Sequence, residues 1–198
     1  MLIPLAEQLR PNSLDEYLGQ DHLVGPGAIL RKAIESGNVP SMVLWGPPGV
    51  GKTTLAYIIS RQLSREFHTL SAVSSGVKEV REVIARAKES GTSPFLFIDE
   101  IHRFSKSQQD ALLGAVEKGI ITFIGATTEN PSFEVISPLL SRCQIYILKV
   151  LEEPQLIQLL EEGRKTLQQQ MGIEISIAET EAMLRISGGD ARKLLNAL

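Results

Sequence analysis

Trp45-Gly46-Pro47-Pro48-Gly49-Val50-Gly51-Lys52-Thr53-Thr54 decides how the rest of the chain is read. It fits G-x-x-x-x-G-K-[ST], the P-loop pattern that cradles phosphate. Gly46, Gly49 and Gly51 allow backbone conformations that a Cβ would forbid, so successive N–H groups can turn toward phosphate oxygens. Pro47, Pro48, Val50 and Thr54 complete the cradle. A helix opening near Lys52 would add its positive end. The Lys52 ammonium would reach β- and γ-phosphates, and the Thr53 hydroxyl would be placed to ligate Mg²⁺. The flanks agree. Residues 41–45 form a short apolar run of the buried-strand type, and residues 54–63 carry helical apolar spacing. A Gly/Pro-rich turn that merely precedes a helix is the plainer alternative, and the strand and helix on either side weigh against it.

A second signature follows downstream. Pro94-Phe95-Leu96-Phe97-Ile98-Asp99-Glu100 is an apolar strand that ends in two carboxylates. In parallel α/β sheets, ligands sit at the carboxyl ends of strands, so Asp99 should emerge beside the P-loop. There it would hold Mg²⁺, directly or through water. Glu100 would orient and deprotonate an attacking water. An isolated Asp-Glu is usually a solvated strand end, but this pair closes an apolar strand in the same chain as a P-loop. A further strand, residues 120–126, ends at Thr127-Thr128-Glu129-Asn130. A hydroxyl there would lie between the two signatures, near the γ-phosphate. A polar turn is the alternative.

The remaining segments fill in an alternating pattern. Residues 67–73 read as a strand. Residues 77–89 read as a helix with Val77, Val80, Val83, Ile84 and Ala87 on one face, closed by Gly91. Ser105 is a candidate N-cap for a helix over 105–117. A short helix ends at 138–140, and Ser141-Arg142-Cys143 leads into a fifth strand, residues 144–148. Ahead of the P-loop, residues 9–20 read as a turn with a short helical patch, 21–27 as a loop, and 28–35 as a helix closed by Gly37. Beyond Lys149 the composition shifts. Residues 153–170 and 176–186 read as helices, and Asp190 as the N-cap of another that starts at Ala191. The expected fold is therefore α/β: a five-stranded parallel αβα sandwich over residues 1–150, then a small helical lid over 151–198. Leu194, Leu195 and Leu198 make an apolar stripe with no later element to cover it, which reads as a piece of a longer protein.

Composition sets bounds. With 198 residues, 43% of them hydrophobic, the chain can bury a substantial core. A net charge of −3 gives no compositional case for nucleic-acid binding. The single cysteine, Cys143, excludes an internal disulfide, suits a reducing compartment and reads as a small buried hydrophobe. His22, His68 and His102 lack zinc-ligand spacing. No signal peptide is expected from residues 1–5, and no apolar run is long enough to span a bilayer. A soluble cytoplasmic protein without membrane contact is expected.

Taken together, these residues resemble P-loop ATPases of the AAA+ superfamily, over essentially the whole chain. Leu9-Arg10-Pro11, Gly19-Gln20, Gly46-Pro47-Pro48-Gly49, Ser141-Arg142-Cys143 and Gly189-Asp190-Ala191-Arg192 are similar to the clamp-loader clade. Ile98-Asp99-Glu100-Ile101-His102-Arg103-Phe104, Lys106-Ser107-Gln108-Gln109-Asp110 and Gly125-Ala126-Thr127-Thr128-Glu129-Asn130-Pro131-Ser132-Phe133 resemble the replication-associated recombination protein A family, whose eukaryotic relative is the Werner-helicase-interacting ATPase.

The resemblance implies hydrolysis of ATP with Mg²⁺, stimulated by DNA and by oligomerisation. It implies action on single-stranded ends or forks, with replication proteins as partners and, in a bacterium, association with the nucleoid. The full-length protein would be a homo-oligomer, and the present stretch a monomer. Position by position, Thr128 matches the sensor-1 polar residue, with Thr127 one register away as the other choice. Arg142 matches an arginine finger that enters the neighbouring subunit's site. Arg192 matches sensor 2, reaching the γ-phosphate from the same subunit's lid. Leu23 and Val24 match the adenine-contacting box. From the residues alone, Arg142 could instead cap the preceding helix, and Arg192 could pair with Asp190 at the surface. Lys78, Arg81, Arg103, Lys106 and Lys118 could contact DNA phosphates or be ordinary solvated charge. The family's further helical region, which completes the lid and forms the oligomer, is missing. A clamp-loader subunit or a Holliday-junction branch-migration motor would use the same catalytic residues. A P-loop kinase, the third class, needs an acceptor pocket and has no use for a water-activating carboxylate.

Overall fold

Alternation along the central strands splits the hydrophobic residues between two cores. In the computed structural model, which describes residues 3–72 and 75–198, Met42 and Leu44 face one side and Val43 the other. Phe95 and Phe97 likewise oppose Leu96 and Ile98. Successive side chains on a strand point to opposite faces, so a continuous apolar run is what a sheet covered on both faces demands.

The first elements are α1 Leu5–Gln8, α2 Asp21–Val24, α3 Ile29–Glu35, β1 Met42–Trp45, α4 Lys52–Gln62 and β2 Phe67–Ser71. Next come α5 Val77–Ser90, β3 Phe95–Asp99, a 3₁₀ turn at Ile101–Arg103, α6 Lys106–Glu117 and β4 Thr122–Thr127. The chain continues through α7 Pro131–Glu134, α8 Ser137–Leu140, β5 Gln144–Ile147, α9 Glu153–Met171, α10 Thr180–Ser187 and α11 Ala191–Asn196. All paired strands run parallel, in the order β2-β3-β4-β1-β5. The predicted αβα core is thus present. Val73, predicted to end the second strand, lies outside the described residues, as do Met1 and Leu2.

One core holds α3 and α4 against the sheet through Leu30, Ile34, Leu55 and Ile59. The other holds α5 and α6 through Val80, Val83, Leu112 and Val116. Both are nearly closed to solvent, and each such side chain contributes roughly 1.5–3 kcal/mol. The ends of α5 and α6 form as expected. Gly91 takes φ 66 at the end of α5, and Ser105 Oγ accepts from Gln108 N–H while Gln108 reaches back, a reciprocal cap.

Four expectations change. Residues 9–20 form turns rather than a helical patch, because the stretch between Pro11 and Gly19 is too short to repay helix nucleation and is fixed instead by burying Leu14 and Tyr17. The expected loop after Asp21 contains α2, one turn held by burial of Leu23 and Val24. The helix expected from residue 176 begins at Thr180, its preceding residues being irregular with Ile177 packed against the lid cluster. The Leu194 and Leu195 stripe is covered. These residues are 0% and 5% exposed and pack with Leu156, Leu159 and Leu160 of α9 and with Leu5 and Leu9 near the N-terminus. The helical unit therefore recruits α1 from the far end of the chain. Cys143 is half-buried against the second core, and burial pushes its thiol up to about 12, as expected of a small apolar packing residue.

Candidate nucleotide site

Strand order sets the geometry of the site. β4 lies between β1 and β3, so the P-loop after β1 and the carboxylates after β3 flank the tip of β4. A cavity of about 550 Å³ opens there, bounded on its other side by the helical lid. Pro48, Gly49, Val50, Gly51, Lys52, Thr53 and Thr54 line it, together with Asp99, Glu100, Thr128 and Arg192. The predicted juxtaposition of the two signatures therefore holds.

Gly49 and Gly51 adopt φ 72 and 96, a region where a Cβ is strained. A side chain at either position would also displace a neighbouring side chain. A Cβ on Gly49 would collide with the Asp190 carboxylate, and one on Gly51 would come within 2.6 Å of the Tyr17 hydroxyl. The Tyr17 hydroxyl donates to the carbonyls of Gly51 and Val50, at 3.1 and 3.3 Å. The lid touches the same loop, since Ala191 N–H donates to Gly49 O at 3.3 Å. Asp190 caps α11 by accepting from Lys193 N–H at 3.0 Å, as predicted.

Lys52 is 8% exposed and its ammonium donates to the carbonyls of Gly46 and Pro47, each at 2.7 Å. Gly46 and Pro47 thus hold the lysine rather than line the cavity. Burial lowers the Lys52 pKa, while the charges of Asp99, Glu100 and Asp190 oppose that shift. Burial raises the Asp99 carboxyl above the ordinary range, with the Glu100 charge adding to it. A hydrogen bond from Glu100 N–H, at 3.1 Å, and the positive charges of Lys52 and Arg192 pull it back down. An acidic group and a lysine perturbed by desolvation in one cleft are what a phosphate-and-metal site would show.

Glu100 leaves β3 at φ 57, an uncommon conformation for a non-glycine residue. Its Oε2 lies 3.2 Å from His102 Nε2 and 3.5 Å from Arg103 Nε. His102 Nδ1 is in turn 3.0 Å from Thr127 Oγ1. Of the two threonines left open by the sequence, Thr127 is fully buried and bonded to the Glu129 N–H, whereas Thr128 faces the cavity.

Besides Gly46 and Pro47, three predicted residues sit outside the cavity lining. Leu23 and Val24 are 6% and 3% exposed, packed in the core outside the cavity lining. The wall on that side is instead built by Leu9, Arg10, Pro11, Tyr17 and Leu18. The hydrophobic side chains of α2 are spent on anchoring this segment, which explains the displacement. Arg142 is also outside the cavity. One of its nitrogens donates to Pro138 O at 2.7 Å and to Ser141 Oγ at 3.2 Å, capping α8, and another lies 3.4 Å from Glu117. Lys78, Arg81, Arg103, Lys106 and Lys118 are all exposed. Tyr17 and His102 were not legible as site residues, because nothing local marks a tyrosine that bonds a loop more than thirty residues away.

Among the described residues, no group of three or more His, Cys, Asp and Glu side chains could hold a metal alone. A hydroxyl and one carboxylate, Thr53 and Asp99, do suit Mg²⁺, which keeps waters and takes its remaining ligands from phosphate. No helix among the described residues is long and apolar enough to cross a membrane.

Comparison with known proteins agrees with this geometry. Residues 42–151 match the profile of the ATPase family associated with various cellular activities, AAA. The chain is 49% identical to replication-associated recombination protein A of Escherichia coli K12, over 98% of this chain and 45% of that protein. It is 44% identical to ATPase WRNIP1 of Dictyostelium discoideum, over 98% of this chain and 23% of that one. The Thermotoga maritima RuvB Holliday junction branch migration motor superposes with a TM-score of 0.75 at 33% identity, covering 95% of this chain and 63% of that one. The chain spans less than half the length of the curated relatives it matches.

Proposed function

The chain belongs to the AAA family of ATPases, and on that premise we propose that it binds ATP with Mg²⁺ in the cavity between the P-loop and the lid and hydrolyses it. The observation that carries this reading is that one cavity is lined by the P-loop, by Asp99 and Glu100, and by Thr128 and Arg192. In the proposed reaction the P-loop amides and the Lys52 ammonium bind the β- and γ-phosphates. Thr53 and Asp99 would hold Mg²⁺, which supplies positive charge to the phosphate oxygens when bound. Glu100 orients a water and accepts its proton as the oxygen attacks in line. Thr128 positions that water or the γ-phosphate, and Arg192 neutralises charge building on the transferring group. On the adenine side, Pro11, Tyr17 and Leu18 offer an apolar wall.

Arg142 faces away from its own subunit's cavity, which suits delivery into a neighbour's site within a homo-oligomer. A finger supplied in trans contributes roughly 10³- to 10⁵-fold in related P-loop systems, so a lone subunit would bind ATP and turn it over poorly. The relatives' names support action in replication-associated recombination; single-stranded ends or forks as the DNA, replication proteins as partners and a cytoplasmic location are the finer parts of the proposal. A branch-migration motor is the second reading, supported by the RuvB likeness. The higher identity to the recombination ATPases favours the first.

The test is phosphate release by the full-length protein with no acceptor present, with and without single-stranded and forked DNA. Expected are turnover that rises with forked DNA and its loss in Lys52→Ala. No phosphate release under any condition would overturn the ATPase reading, and efficient branch migration of four-way junctions would favour the motor.

A further inference from the structure

The geometry points to His102 as a positioning residue that ties the Glu100 carboxylate to the tip of β4. This rests on the reading of Glu100 as the group that activates water. Glu100 needs such a tether. Its backbone leaves β3 at φ 57, and its side chain is about one-third exposed, at 34%. A glutamate in that setting has several open rotamers, and only a few direct the carboxylate at a water beside the γ-phosphate. Misplacement by about 1 Å is enough to cost roughly a hundredfold in rate.

His102 is built to restrict it. The imidazole is 13% exposed and bridges two named acceptor–donor groups, Glu100 Oε2 at 3.2 Å and Thr127 Oγ1 at 3.0 Å. The carboxylate can only accept, so Nε2 carries the hydrogen. In the neutral imidazole Nδ1 is then an acceptor facing the Thr127 hydroxyl, whose one hydrogen is shared between it and Glu129 O at 3.2 Å, and the two contacts together hold the ring plane. Thr127 is itself immobile. It is fully buried, it pairs with Trp45 across the β1–β4 ladder, and its hydroxyl also accepts from Glu129 N–H at 3.0 Å. The next residue, Thr128, lines the cavity. A continuous path therefore runs Thr128, Thr127, His102, Glu100, and it ties the carboxylate to the fixed β4 tip.

The competing partner for Glu100 is Arg103, at 3.5 Å and 58% exposed. That is the geometry of a weak surface pair. Without the imidazole, Glu100 is free to swing toward Arg103, while Thr127 keeps its bonds to the Glu129 backbone. The loss falls on turnover rather than on folding or ATP binding.

The experiment uses the full-length protein, with ATP binding and turnover measured separately for His102→Ala, His102→Gln, Thr127→Val and Glu100→Gln. Expected are a tenfold or greater fall in kcat for His102→Ala with ATP affinity within about threefold of the parent, and partial rescue in His102→Gln, whose amide can still donate to Glu100. Thr127→Val lowers kcat by a smaller factor and adds little to His102→Ala. Should His102→Ala not fold, Thr127→Val alone decides. Parental kcat in whichever variant decides, or a fall in ATP affinity parallel to kcat, overturns the role of His102. Full turnover in Glu100→Gln is a different result, and it would remove the underlying reading of Glu100.

Discussion

The Asp190 carboxylate, at the N-cap of α11, lies directly against Gly49 in the P-loop. Lid and phosphate cradle therefore meet through one acidic side chain and one missing Cβ. Gly49→Ala would add a side chain at φ 72, costing roughly 1–2 kcal/mol in backbone strain, and would also push Asp190 aside. Asp190→Ala would lose a helix cap, at about 1 kcal/mol. The double variant should lose less than the sum of the two, because the collision is gone. Thermal unfolding of the four proteins measures this coupling, and strict additivity would mean that Gly49 is required for its backbone alone.

Tyr17 offers a cleaner probe of the cradle. Its hydroxyl bonds the Gly51 and Val50 carbonyls from a segment far away in sequence. Tyr17→Phe keeps the packing and deletes only these bonds, so stability should fall by about 0.5–1.5 kcal/mol. Gly51 O retains its bond from Leu55 N–H, so the loss falls mainly on Val50 O. Weaker ATP binding should accompany the change, read as a rise in the dissociation constant for a fluorescent ATP analogue. An unchanged affinity would show that the loop needs no support from Tyr17.

What the sequence disclosed and what it hid have a common physical reason. The P-loop and the Asp99-Glu100 pair are legible because phosphate chemistry demands particular residue types at short, fixed spacing after an apolar strand. Which of Thr127 and Thr128 turns toward the cavity is not legible, because a one-residue shift swaps the buried and open faces; in the fold Thr127 is buried and Thr128 lines the cavity. Coverage of Leu194 and Leu195 by Leu5 and Leu9 is hidden for a different reason. It is a contact between opposite ends of the chain, and no local pattern carries it. Leu23 and Val24 show the same limit, since a motif can place a segment near a ligand without saying which way its side chains turn.

Asp99 should trade stability for function. Burial and the neighbouring Glu100 charge raise its carboxyl above the ordinary range. The unfolded chain then gives up this proton first as pH rises. Stability therefore falls from about pH 4, the ordinary Asp value, up through the raised folded-state value, and stays lowered above it. Asp99→Asn removes that cost and can still accept from Glu100 N–H. In the absence of nucleotide and Mg²⁺ its Tm at pH 7 should exceed the parent's, and the gap should close as pH drops toward 4. Its ATPase activity should be lost. A lower Tm at pH 7 would contradict the raised carboxyl.

The position of Arg142 leads to the most demanding prediction. The guanidinium caps α8 and reaches Glu117, away from the cavity that holds Glu100. If it completes a neighbouring subunit's site, Glu100→Gln and Arg142→Ala should each be nearly inactive in the full-length protein while still binding ATP. Mixing them should restore part of the activity, because some interfaces then pair an intact Glu100 with an intact Arg142. The recovered rate should peak near equal proportions and vanish on dilution below the assembly concentration. A cap of α8 and nothing more would predict the opposite pattern: Arg142→Ala would lower Tm by a few degrees and leave turnover per folded subunit unchanged, and mixing would give only the average of the two proteins. Mixed assemblies confirmed by sedimentation yet without recovery would exclude the shared site, whatever each variant does alone.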